Sequence, residues 1–122
     1  MHVVFGTGAL GSAVIEELVT RGESVRAVNR RGQGDLPAGV ELRAGDVHDH
    51  AFAAAAMQGA EVVYFALNPP YHLWLDQFPG LQESVLDGAI AAGAKLVVLE
   101  NLYLYGAPQT PALTEDHPVA AH

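Results

Sequence analysis

Three glycines near the start of the chain have the spacing of a phosphate-binding turn. The segment follows the pattern G-x-G-x-x-G and consists of Gly6, Thr7, Gly8, Ala9, Leu10 and Gly11. In this pattern the first glycine permits a tight turn, the second lets the backbone approach a pyrophosphate, and the third lets a helix pack closely on a strand. The N–H groups at the start of that helix attract phosphate oxygens. The motif predicts a dinucleotide site; the alternative is a glycine-rich turn without a ligand.

One amide and two guanidinium side chains lie at the position where a dinucleotide site of this kind contacts the adenine ribose. Asn29 is at the end of the second predicted strand, and Arg30 and Arg31 come directly after it. A carboxylate at this point accepts from the 2′-hydroxyl of NAD and repels the 2′-phosphate of NADP. An amide beside a guanidinium accommodates that phosphate. The sequence therefore favours NADP; NAD is the alternative, in which both arginines are only solvated loop charges.

A short run of acids and histidines could in principle bind a metal. It contains Asp46, His48, Asp49 and His50, with no distant further ligand in evidence. Asp49 also precedes a predicted helix, where a carboxylate oxygen caps free N–H groups. We therefore predict an N-cap at Asp49 and no metal site.

Strands and helices alternate along the chain in a way that positions these groups. The predicted strands are residues 3–5, 25–28, 40–44, 61–67 and 95–100, and the predicted helices are residues 10–19, 51–57 and most of 71–92. This alternation predicts βαβ units and a Rossmann-type α/β fold, a doubly wound parallel sheet in the order 3-2-1-4-5, truncated relative to the full fold.

The apolar residues of two of these helices indicate which faces are buried. In the first helix they are Leu10, Val14, Ile15, Leu18 and Val19. In the last helix Pro79-Gly80 predicts a break or a fresh start. Its apolar face is predicted to consist of Leu81, Val85, Leu86, Ala89 and Ile90.

Composition excludes several classes of protein. Half of the 122 residues are hydrophobic and 16% are charged, as in a packed domain and not in a disordered chain. A net charge of −8 with six basic residues argues against nucleic-acid binding. No apolar run is long enough to span a membrane, and there is no cysteine. We expect a soluble cytoplasmic protein that binds neither nucleic acid nor membranes, as a monomer or a homo-oligomer.

Four motifs in order resemble the short-chain dehydrogenase/reductase superfamily, in its extended or atypical, NAD-dependent epimerase/dehydratase-like branch. The first is the segment from Gly6 to Gly11, which we call the glycine loop. The other three are Gly45-Asp46-Val47, Ala66-Leu67-Asn68, and Asn101 to Gly106 with Leu113-Thr114-Glu115-Asp116. By this resemblance Asp46 and Val47 lie at the adenine, and Ala66, Leu67 and Asn68 lie along the nicotinamide ribose. The resemblance covers the N-terminal part of such proteins.

The same resemblance makes Asn101 and Tyr105 the candidate catalytic residues, although the match is incomplete. Asn101 stands where the family has Ser or Thr, and an amide could still polarise a carbonyl. The family's Tyr-x-x-x-Lys pair would follow Asp116, whereas Lys95 is the only lysine. Tyr103 and Tyr105 could each act as a general acid, but packing explains both better.

These features predict two segments and leave two functions open. Residues 1–106 are expected to form the NAD(P)-binding Rossmann domain, and residues 107–122 a proline-containing tail leading to a missing C-terminal part. The function predicted is that of the NADP(H)-binding domain of an oxidoreductase or epimerase/dehydratase-like enzyme acting on an unknown small-molecule substrate, the chain alone being inactive. The alternative is a non-catalytic NADP-binding sensor or regulator.

Overall fold

The computed structural model describes residues 1–99 and contains all five predicted strands in this range. The strands are β1 (His2–Phe5), β2 (Val25–Asn29), β3 (Glu41–Ala44), β4 (Val62–Phe65) and β5 (Lys95–Val98). The helices are α1 (Ala9–Thr20), α2 (His50–Ala56) and α3 (Trp74–Ala92), and a 3-10 turn (Tyr71–Leu73) precedes α3. The predicted domain boundary after residue 106 lies outside the described residues.

The strands form one parallel sheet in the order β3-β2-β1-β4-β5. This confirms the predicted order and the Rossmann-type fold. Phe5 is level with Val28 on one side and with Phe65 on the other, and Phe65 is level with Val98. The carboxyl ends of β1, β2, β4 and β5 therefore lie along one edge of the sheet, and the loops that follow them lie at that edge.

Helices cover both faces of the sheet. Successive side chains of a strand point to opposite faces, so Val4 packs with Ile15 and Leu18 of α1, whereas Val3 and Phe5 pack on the side of α2 and α3. The side chains of Val3, Val4 and Phe5 are fully buried. This two-sided burial explains why β1 is an unbroken apolar run and not an alternating one.

In α1 the buried stripe differs from the prediction at one residue. Gly11, Ile15 and Leu18 are buried at spacings of four and three residues, but Leu10 is 61% exposed. Adjacent helical positions point about 100° apart, so burying Gly11 turns Leu10 away from the sheet. The glycine loop therefore has one exposed apolar side chain, that of Leu10.

The predicted break at Pro79 is wrong, because α3 runs through this residue. Pro79 is the sixth residue of α3, so the hydrogen bond it lacks would join the Leu75 carbonyl in the first turns. Leu75 is 93% exposed, and water is therefore available near that carbonyl. The helix loses one bond at its start and continues.

The predicted apolar face of α3 is partly wrong as well. Leu86 and Ile90 are exposed, whereas Ser84 and Gly88 are buried. A side chain added at Gly88 would collide with Met57 at the end of α2. Small residues of α3 face α2 because the two helices pack closely, and this contact rotates the larger residues outward.

Among residues 1–99, no helix is both long enough and apolar enough to cross a membrane.

Candidate dinucleotide site

Two of the three loop glycines are required by the packing of the chain itself. Gly6 has φ +103°, and a Cβ built on it would lie 2.5 Å from the carbonyl oxygen of Ala66, after β4. A Cβ on Gly11 would overlap the carbonyl oxygen of Gly6. The first glycine therefore allows the tight turn from β1 to α1 beside Ala66, and the third brings α1 against that turn.

Gly8 has no such internal reason to be glycine. It is exposed, its φ of −71° suits any residue, and no atom lies within 4 Å of a Cβ built there. It is the N-cap of α1, where no side chain caps the helix. The loop therefore leaves open space in front of free helix N–H groups, which fits the pyrophosphate of a dinucleotide.

The Asn29 side chain joins two loops at the end of β2. Its Nδ2 donates to Thr7 Oγ1 at 3.0 Å and to the Gln33 carbonyl at 2.8 Å. Its Oδ1 accepts from the Gly32 N–H at 2.7 Å. The amide thus connects the glycine loop to the arginine loop, by which we mean residues 30–33.

Arg30 extends from the arginine loop toward Asp46, which follows β3. Arg30 Nη2 lies 3.4 Å from Asp46 Oδ1, and the side chains are 75% and 54% exposed. The same Asp46 oxygen accepts from the His48 N–H at 2.9 Å. Exposed pairs of this kind contribute little, so Arg30 can exchange its partner for another anion at small cost. Arg31 is exposed beside it.

A cavity of about 200 Å3 opens between the loops that follow β2, β3 and β4. Its lining includes six of the residues predicted to bind the cofactor: Asn29, Arg30, Asp46, Val47, Leu67 and Asn68. The other residues predicted to bind the cofactor, namely Gly6 to Gly11, Arg31 and Ala66, are not part of this lining. The volume suits one end of a dinucleotide.

A sequence model of the NAD(P)H-binding family matches residues 6–119. The chain belongs to this family. The match begins at the first residue of the glycine loop and includes every residue of the cavity described above. Proteins of this family bind a nicotinamide dinucleotide. Such a ligand explains why this chain has a glycine loop and why the space at Gly8 is open.

Several solved structures are similar in fold to this chain. WbmG of Bordetella bronchiseptica, in complex with NAD and UDP, is 22% identical with a TM-score of 0.77, covering 99% of this chain and 44% of its own. UDP-glucose 4-epimerase is 19% identical with a TM-score of 0.80, covering 98% and 41%. An Agrobacterium tumefaciens protein of the short-chain dehydrogenase/reductase superfamily, with bound NAD, is 27% identical with a TM-score of 0.78, covering 100% and 39%.

These structures confirm the resemblance to the N-terminal part of short-chain dehydrogenase/reductase proteins. The chain spans about two fifths of their length. No curated protein sequence matches it.

Five lining residues of the cavity were not predicted as cofactor residues. They are Gly45 and His48 after β3, Pro69 after β4, and Gln77 and Leu81 of α3. His48 was considered only as a metal ligand, and the helical pattern marked Leu81 as core. No local signal identifies the two residues of α3 as lining a ligand site, because α3 reaches the cavity only through folding.

The loop after β4 is fixed by the aromatic start of α3. Trp74 Nε1 donates to the Pro69 carbonyl at 2.9 Å, and the Trp74 ring meets Phe78 edge to face at 5.2 Å. Phe78 in turn packs against Phe65 of β4. These aromatic side chains therefore connect the start of α3 to the sheet.

The acids and histidines after β3 have separate roles. Asp49 Oδ1 accepts from the N–H groups of Ala51 and Phe52 at 3.0 and 3.3 Å, which confirms the predicted N-cap of α2. Within residues 1–99, no three potential metal ligands come together.

The candidate catalytic residues Asn101 and Tyr105 lie outside the described residues. Lys95 is described, and it is level with Val62, which is level with His2. The lysine therefore lies at the amino edge of the sheet, whereas the cavity lies at the carboxyl edge.

Proposed function

We propose that this chain binds NADP(H) in preference to NAD(H), as the dinucleotide-binding part of an oxidoreductase or epimerase/dehydratase-like protein. The observation that carries the proposal is the placement of the exposed Arg30 at the cavity beside the uncharged Asn29. In this proposal residues 1–106 are the binding domain, and residues 107–122 lead to further parts of the protein.

Electrostatics at the end of β2 favours a phosphate over a hydroxyl. Asn29 brings no negative charge to this point, and Arg30 is held only by an exposed contact to Asp46. A guanidinium binds phosphate oxygens through two parallel charge-assisted hydrogen bonds. Arg31 adds a second positive charge one residue away. A 2′-phosphate would therefore draw at least one of these arginines to itself.

The other contacts of the dinucleotide are those that the resemblance to short-chain dehydrogenase/reductase proteins implies. The pyrophosphate lies at Gly8 and the start of α1. Asp46 and Val47 border the adenine, and residues 66–68 border the nicotinamide ribose. The small-molecule substrate would meet the nicotinamide beyond β4 and β5.

Isothermal titration calorimetry with NADPH and NADH tests the preference. A charge-assisted contact is worth about 1.5 to 3 kcal/mol, so NADPH should bind about tenfold more tightly or better. Arg30→Ala combined with Arg31→Ala should remove most of the difference and leave NADH binding in place. Arg21→Ala is the matched control, because Arg21 is exposed at the other end of α1 and pairs with Glu17. Equal affinities in the unaltered protein would overturn the proposal.

A second candidate is a protein that binds NADP(H) without turning it over, as a sensor or regulator. The position of Lys95 at the amino edge of the sheet favours it, because no lysine of this chain can then assist a tyrosine at the cofactor. Both candidates share the binding site, and a turnover assay separates them.

A further inference from the structure

The Asn29 side chain makes three hydrogen bonds within the protein. A side chain whose only role is to contact the ribose of a dinucleotide does not need them. The Gly32 N–H can only donate, so its partner at 2.7 Å must be the carbonyl oxygen of the amide. The Gln33 carbonyl can only accept, so its partner at 2.8 Å must be the NH2 group. These two backbone contacts fix the orientation of the amide.

This orientation decides how the Thr7 hydroxyl is used. The second hydrogen of Nδ2 points to Thr7 Oγ1 at 3.0 Å, so the hydroxyl accepts a hydrogen bond there. A hydroxyl that accepts from an amide keeps its own hydrogen for another acceptor. The Thr7 backbone is fixed as well, since Ser12 Oγ donates to its carbonyl at 2.8 Å. Thr7 lies between Gly6 and Gly8, in the loop that would hold the pyrophosphate.

We infer that Asn29 is a positioning residue for the pyrophosphate: it leaves the hydrogen of the Thr7 hydroxyl free to donate to a phosphate oxygen and ties the arginine loop to the glycine loop. The inference rests on the proposed dinucleotide site. It assigns Asn29 a role at the phosphates, in addition to the missing negative charge at the ribose.

An aspartate at position 29 would reverse both contacts. Its oxygen in place of Nδ2 would accept the Thr7 hydrogen and so withdraw it from the phosphate. The same oxygen would face the Gln33 carbonyl, and two acceptors repel each other. Asn29→Asp should therefore weaken NADH, although a carboxylate at the end of the second strand ordinarily strengthens NADH through the 2′-hydroxyl.

Calorimetry with NADH on a set of variants tests this coupling. Asn29→Asp and Thr7→Val should each weaken NADH about tenfold, and the double variant should be no weaker than either alone. Thr7→Ser keeps the hydroxyl and should bind NADH as the unaltered protein does. Adenosine, which has no phosphate, should bind Thr7→Val and Thr7→Ser equally when titrated by NMR.

Three results would overturn the inference. They are tighter NADH binding by Asn29→Asp, undiminished NADH binding by Thr7→Val, and additive losses in the double variant. Thermal unfolding without ligand shows whether Asn29→Asp folds; where it does not, the comparison of Thr7→Val with Thr7→Ser decides. Failure of the unaltered protein to bind either dinucleotide would instead overturn the proposed function.

Discussion

The three glycines of the glycine loop are required for different physical reasons. Gly6 and Gly11 are fixed by contacts within the chain, to Ala66 and to Gly6 respectively. Gly8 faces open space. Substitutions can therefore separate the requirement of folding from the requirement of ligand binding.

Gly8→Val should abolish dinucleotide binding while the protein stays folded. The valine side chain would occupy the space in front of α1 that the pyrophosphate needs, and no atom of the described residues lies within 4 Å of its Cβ. Calorimetry with NADPH, together with circular dichroism, measures the two effects. Gly11→Ala is the contrasting variant, which should lose stability because its Cβ overlaps the Gly6 carbonyl. Undiminished binding by Gly8→Val would mean that the loop is only a turn.

At the scale of elements, two arginines tie strands β2 and β3 to the end of helix α2. Arg26 is buried, and its Nη1 donates to the carbonyls of Ala56 and Gln58 at 2.7 and 3.0 Å. Glu41 accepts from Arg26 Nε and from Arg43 Nε, both at 2.9 Å. The carbonyls at the end of α2 thus receive cations that match the negative end of its dipole.

This cluster should make stability depend on pH. Hydrogen bonds from Arg26 and Arg43 lower the pKa of Glu41 below its ordinary value of 4.5. A carboxyl with a lowered pKa in the folded state stabilises the protein above its ordinary pKa, and this contribution is lost as the pH falls through the folded-state value. The free energy of unfolding should therefore drop from about pH 4.5 downward.

Urea unfolding at pH 6, 4.5 and 3 measures this effect. Glu41→Gln should be less stable than the unaltered protein at pH 6 and should lose less stability on acidification. Glu83→Gln, at an exposed position of α3, is the control and should follow the unaltered protein. Identical pH profiles for Glu41→Gln and the unaltered protein would contradict the assignment.

At the scale of the whole molecule, the two edges of the sheet differ in chemistry. The glycine loop, the arginine loop and the cavity lie at the carboxyl edge, and Lys95 lies at the amino edge. A strand rises about 3.3 Å per residue, so the four residues of β5 hold the lysine roughly 10 Å or more from the carboxyl edge. Tyr64 of β4 is partly buried, and this burial raises the pKa of its hydroxyl. The negative charge of Glu23 raises that pKa further.

We therefore expect no NADPH-dependent turnover by these 122 residues with carbonyl substrates or nucleotide sugars. An unassisted tyrosine, with a pKa near 10, is poorly matched to proton transfer at neutral pH. The loss of the near-ultraviolet absorbance of NADPH follows the reaction. Steady NADPH oxidation that disappears in Tyr103→Phe or Tyr105→Phe would show that a tyrosine of this chain is catalytic without the lysine.

The sequence alone was sufficient for features that depend on neighbouring residues. The glycine spacing, the apolar runs and the cap at Asp49 are local patterns, and the order of the strands follows from alternation and the handedness of crossovers. Together they predicted the fold and the order of its strands.

Only the tertiary structure decided features that join distant parts of the chain. The contact of Asn29 with Thr7 spans 22 residues, and the buried face of α3 depends on how closely Gly88 approaches Met57 of α2. Likewise, the charge of Arg26 is buried because strand β2 passes beside the carbonyls at the end of α2. Periodicity measures the polarity of one element at a time. Which partner a polar group or a small residue meets depends on another element, and that is set when the elements pack.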